Sequence, residues 1–156
     1  MGYMHIQNLY ADQSVLMFRE CYAMEKIHGT SAHITWKDGR VTYSSGGEKH
    51  DRFRALFDDE KLTAAFLAIG HPDVTDYGEA YGGKQQGQSW RYGKELRFVA
   101  FEVRVGETWI SVPNAADVVQ RLGLEFVHYV KIATDLATVD AERDAPSEQA
   151  KRNGVE

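Results

Sequence analysis

The sequence predicts an α+β domain built on an antiparallel sheet, and three observations predict it. Ala32, Ile34 and Trp36 alternate with polar residues, the period-two pattern of a half-buried strand. Asp38-Gly39 then supplies the positive φ angles that a tight hairpin demands. Short helical patterns with clear stop signals interrupt further strand-like runs, without the regular strand–helix alternation of a doubly wound parallel sheet.

The elements follow in order. Residues 1–20 are a mixed apolar segment (Ile6, Leu9, Tyr10, Val15, Leu16, Phe18) leading into a first strand that carries Tyr22 and Met24. Residues 31–44 read as a hairpin turning at Lys37-Asp38-Gly39-Arg40, and Gly46-Gly47 ends it. Asp51 is expected to cap a short helix presenting Phe53, Leu56 and Phe57. A helix near 59–69 carries Leu62, Phe66, Leu67 and Ile69, with Gly70 and Pro72 as its stop. Residues 73–82 and 95–105 read as strands, joined by a polar, glycine-rich loop expected to be mobile and to lie beside any site. Gly106-Glu107 turns into a short strand with Trp109 and Ile110, and Pro113 opens a helix ending at Gly123. Phe126, Val127, Tyr129 and Val130 suggest another strand, and beyond Thr134 only a helical turn between Pro146 and Gly154 is expected.

At 156 residues the chain suits one domain with a real core. Its 43% apolar and 26% charged residues place it with ordinary globular proteins. No run approaches the roughly 20 apolar residues of a membrane span, and no basic region followed by an apolar core marks a signal peptide. The single cysteine, Cys21, excludes an internal disulfide and reads as a small core residue. A cytoplasmic setting is expected. The net charge of −5 argues against a dedicated nucleic-acid binder, although Lys49, Arg52 and Arg54, and then Lys84, Arg91, Lys94 and Arg97, form local basic clusters. None of the six histidines pairs at metal-ligand spacing. The glycines at 46–47 and 82–83 do not fit a phosphate loop, and no nucleophile elbow is present.

The residues that point to chemistry are Glu25-Lys26-Ile27-His28-Gly29-Thr30-Ser31. They place an amine in a bend between two alternating stretches. A lysine has a free pKa of about 10.4, so only about one molecule in a thousand is unprotonated at neutral pH. Making it a nucleophile costs on the order of 4 kcal/mol unless burial or a nearby cation lowers that pKa. Taken as chemistry alone, a surface lysine in a hairpin loop explains these residues as well.

Lys26-Ile27-His28-Gly29-Thr30 resembles the adenylylation motif of the ATP-dependent RNA ligases of the phage and RNA-editing type, within the covalent nucleotidyltransferases. Most of the superfamily has aspartate in the third place, and His28 is similar to the RNA ligase branch. Tyr77-Gly78-Glu79-Ala80-Tyr81-Gly82-Gly83 resembles the family's glycine-glutamate-x-x-glycine motif. Phe98-Val99-Ala100-Phe101-Glu102-Val103 is similar to its aromatic-acidic strand, with Glu102 in place of aspartate. The family's serine-arginine-x-glycine segment has Ser44-Ser45-Gly46-Gly47 as its counterpart, without the arginine, and Ser31 stands where asparagine is usual.

The resemblance implies an antiparallel-sheet nucleotidyltransferase domain over 1–156 that uses ATP and Mg²⁺ and acts on RNA 5′-phosphate and 3′-hydroxyl ends. Lys26 would be the catalytic nucleophile. Glu25, Ile27, His28 and Gly29 would surround the nucleotide, Glu79 would contact the ribose, and Phe101 would stack on adenine. Metal ligands are not visible in the sequence. The family's later glutamate-glycine-valine and lysine-x-lysine strands have no counterpart between Val105 and Glu156, so a domain truncated at its C-terminus is expected. The alternatives are a DNA ligase, a capping-type nucleotidyltransferase, or a non-catalytic nucleotide-binding relic of the fold.

Overall fold

A computed structural model describes residues 3–85 and 87–155. The first segment ends in a 3-10 turn, Ser14–Met17, and enters β1 (Glu20–Met24). The hairpin follows as β2 (Gly29–Lys37) and β3 (Arg40–Ser45). Asp38 and Gly39 both adopt positive φ, 51° and 71°, as a two-residue turn between twisted strands requires. Two helices come next, α1 (His50–Arg54) and α2 (Asp59–Ile69). The long strands β4 (Asp73–Tyr81) and β5 (Arg97–Val105) flank a loop containing a 3-10 turn, Ser89–Tyr92. Then come β6 (Thr108–Trp109), α3 (Val112–Arg121), β7 (Tyr129–Ala133), α4 (Leu136–Arg143) and α5 (Glu148–Arg152).

Five strands form one sheet in the order β3-β2-β4-β5-β6, and β1 pairs with β7 in a small second sheet. All pairs within the two sheets are antiparallel, as the sequence predicts. One face of the large sheet presents Ala32, Ile34, Trp36, Val74, Ala80, Phe98, Ala100 and Val103 to the helices, where Phe53, Leu62, Phe66, Ala115, Val119 and Leu122 complete the main core. Trp36 stacks on Phe66 at 5.6 Å. The opposite face builds a smaller cluster from Ile27, Tyr81, Tyr92, Val99 and Val127, against which Phe101 packs. A register shift opposite Tyr77 and Gly78 leaves Phe101 as the extra residue of β5. Bulges of this kind re-aim side chains, and here Phe98 fills the main core while Phe101 turns to the other face.

The structure corrects several expectations. Lys49, not Asp51, occupies the N-cap of α1, and no side chain caps that helix. Asp51 lies in the first turn instead, where its charge complements the helix dipole. Leu56 and Leu67 are exposed, and the apolar faces narrow to Phe53 with Phe57 and to Leu62 with Phe66. The last strand starts at Tyr129, because the chain at Phe126 makes an isolated parallel bridge with Ala100. A helix, α4, stands where none was expected. The 82–93 loop is tied down. Gly82 N–H donates to Ser89 Oγ at 2.6 Å, Gly83 N–H donates to the Gly93 carbonyl at 2.8 Å, and Ser89 and Tyr92 are buried. Cys21 is only partly buried, a free thiol that lines a cleft.

Candidate functional site

Lys26 lies in the four-residue connection from β1 to β2. Ile27, 6% exposed, anchors that connection in the smaller cluster and leaves Lys26 and His28 on the surface. Gly29 begins β2 opposite Tyr81 of β4. A Cβ at Gly29 would sit 2.2 Å from the Ala80 carbonyl oxygen, far inside contact distance, so only glycine lets the two strands approach there. The Tyr92 hydroxyl meets the backbone of His28, which fixes the bend from the loop side.

Glu79 stands on β4 opposite Ser31. Burial pushes its carboxyl up to about 7, and the Gly29 backbone N–H and the Lys26 ammonium pull the other way. Lys26, Gly29 and Glu79 therefore form one group, although 50 residues of chain separate the bend from the strand. Glu25 is directed elsewhere. Its carboxylate accepts from Ser147 Oγ and from the Gln149 N–H at 3.0 Å, binding α5 to the base of the lysine bend.

Phe101 is on the same sheet face and belongs to an aromatic box that the sequence did not reveal. The Tyr3 ring meets Phe101 edge-on at 4.9 Å and lies 5.6 Å from Tyr77 and 5.7 Å from Trp109. His33 packs 5.6 Å from Tyr77. The Tyr3 hydroxyl donates to Glu102, and burial together with that carboxylate holds the phenol well above its usual range. Period-two spacing back from Glu79 picks out Tyr77 and Thr75 on this face. No comparable signal marks Tyr3, which arrives from a distant part of the chain.

The largest cleft among the described residues, about 1550 Å³, is lined by Lys26, His28, Trp90 and Arg91 but not by Glu79 or Phe101. Lys26 thus borders two regions, the Glu79–Phe101 sheet face and this cleft. Among the described residues no three His, Cys, Asp or Glu side chains gather as a metal site. No described helix is long and apolar enough to cross a membrane.

With this geometry in view, the chain was compared with known proteins. Its structure superposes on Naegleria gruberi RNA ligase. The fold is that of an RNA ligase nucleotidyltransferase domain. A variant of that ligase with AMP and Mn aligns with a TM-score of 0.70 at 14% identity, over 88% of this chain and 45% of that one. An apo variant gives 0.71 at 14%, over 92% and 46%. The ligase with PPi gives 0.68 at 15%, over 85% and 43%. The chain therefore spans less than half the length of the RNA ligases it matches. No family model matches the sequence, and no curated protein matches it.

Proposed function

We propose that this chain is the adenylylating part of an ATP-dependent RNA ligase, with Lys26 as the nucleophile. One observation carries the reading: an amine on a glycine-anchored bend, beside a partly buried carboxyl on the neighbouring strand, in a fold shared with RNA ligases. The unprotonated Lys26 Nζ attacks the α-phosphorus of ATP. A P–N bond forms, the P–O bond to pyrophosphate breaks, and Nζ gives up a proton. A 5′-phosphate oxygen of RNA then breaks the P–N bond and takes the AMP, and a 3′-hydroxyl oxygen displaces AMP to join the strands. Phe101 offers an aromatic face to adenine. Glu79, when ionised, accepts from a ribose hydroxyl. Gly29 and Ile27 hold the bend, His28 stands at its mouth, and Glu25 braces it from below.

The Naegleria ligase is seen with ATP or AMP and Mn, which supports ATP and a divalent metal here. The described residues gather no metal donor set, so no step is routed through the ion, and Mg²⁺ belongs to the reading only as the family's metal. The same observation favours a second reading, a nucleotide-binding domain that does not transfer AMP. The reading places the metal and phosphate ligands outside the 1–156 domain, and expects adenylylation by these residues alone to be slow.

Intact-mass measurement after incubation with ATP and Mg²⁺ separates the two. The ligase reading expects one AMP adduct, mapped to Lys26 and absent in Lys26→Arg, whose guanidinium stays protonated. An adduct on another lysine would overturn the assignment. Tight ATP binding with no adduct, even in a longer natural chain, would establish the relic.

A further inference from the structure

Trp90 is 66% exposed, whereas Trp36 is 4% exposed and Trp109 is partly covered by Tyr3 and Tyr77. Its neighbours in the 3-10 turn are held firmly. Ser89 is fully buried and takes the Gly82 N–H, Tyr92 is 6% exposed, and the Tyr92 carbonyl accepts from Asn153 Nδ2 at 3.0 Å. A turn pinned on one side displays Trp90 and Arg91 on the other. The Arg91 guanidinium lies 5.4 Å from the centre of the Trp90 ring, within cation–π range. Both side chains line the cleft that also holds Lys26 and His28.

The charge around this turn runs against that of the molecule. The chain carries −5, yet residues 82–97 hold Lys84, Arg91, Lys94 and Arg97 against Glu95 alone. Among the described residues, Lys26, Lys84, Arg91 and Lys94 form no ion pair, while Arg97 pairs only with Glu95. The cleft, at about 1550 Å³, exceeds the roughly 300–1,000 Å³ of a small-molecule pocket. An exposed indole, a guanidinium beside it and unpaired cations along a long trough are what a single nucleic-acid strand needs, with base faces on the aromatic ring and phosphates on the cations.

We propose that Trp90 and Arg91 form a stacking platform for an unpaired base of a single-stranded RNA end whose terminal phosphate is brought to Lys26. The choice of RNA rests on the ligase reading above. The platform itself rests on this geometry.

Fluorescence anisotropy with a 5′-phosphorylated RNA octamer tests it, without ATP, on the wild type and on Trp90→Phe, Trp90→Leu, Trp90→Ala and Arg91→Gln. Stacking predicts that Trp90→Phe binds within about twofold of wild type and that Trp90→Ala binds at least about fivefold more weakly. Trp90→Leu keeps the apolar bulk without the flat ring and should resemble Trp90→Ala. Arg91→Gln should weaken binding and reduce its salt dependence. Trp90→Leu binding like Trp90→Phe would overturn the platform, because any apolar contact would then serve. So would wild-type affinity in Trp90→Ala, equal affinity for blunt duplex RNA, or no RNA binding by the wild type. The adduct measurement on wild-type protein without RNA reads the ligase proposal separately. Ring-dependent RNA binding with no lysyl adduct would sink that proposal and leave the platform standing.

Discussion

At the scale of single residues, the motifs were legible and their neighbours were not. Lys26, Glu79 and Phe101 could be marked because each sits in a short pattern with fixed spacing. The structure places Lys26 beside Glu79 and puts Phe101 on the same sheet face. Tyr3, His33 and Trp109 escaped notice because a lone aromatic residue has no local signature and is brought to the box by tertiary folding alone. Glu25 belongs to the lysine motif, yet its partners Ser147 and Gln149 lie in a tail that composition alone renders as charged and featureless. If Phe101 is the adenine platform, Phe101→Ala should weaken ATP binding by about 1–3 kcal/mol. Calorimetric titration checks this, and unchanged affinity would make the ring a packing residue only.

At the scale of elements, β2, β3, β4 and β5 were readable because alternation and Asp38-Gly39 are local signals. Helix α4 was not, since it buries no residue and so writes no apolar stripe into the sequence. The centre of β4 holds a feature that no pattern announces. Asp76 is fully buried on the main-core side, opposite Ile34 and Val103, and neither of its oxygens has a partner. Burial pushes its carboxyl up to about 8. A folded pKa above the unfolded one means that Asp76 favours folding fully below about pH 4, and that this contribution is lost as pH rises through about 8. Asp76→Asn carries no charge to bury. It should therefore be the more stable protein at pH 9, by on the order of a few kcal/mol, with the advantage shrinking as the solution is acidified. Urea unfolding of both proteins at pH 6 and pH 9 measures this, and parallel curves at the two values would show that Asp76 finds a partner.

At the scale of the molecule, the helix-backed sheet is the stable body, and the lysine bend, the 82–93 loop and α5 are fastened to its other face through Tyr81, Tyr92 and Gln149. The segment that carries Tyr3 crosses that face as well. Its ring lies edge-on to Phe101 and its hydroxyl is bound to Glu102. Under the ligase reading, adenine and Tyr3 seek the same ring. The chain then carries its own competitor, and every nucleotide must displace it. The apparent dissociation constant is the intrinsic one divided by the fraction of molecules in which Phe101 is bare, so a contact made nine-tenths of the time weakens binding about tenfold. Tyr3→Ala should tighten ATP binding, the reverse of Phe101→Ala, and unchanged or weaker affinity in a titration would show that Tyr3 builds the pocket and does not contest it. Whatever pulls residue 3 aside would then set the ATP concentration at which this protein responds, without touching any atom that holds the nucleotide.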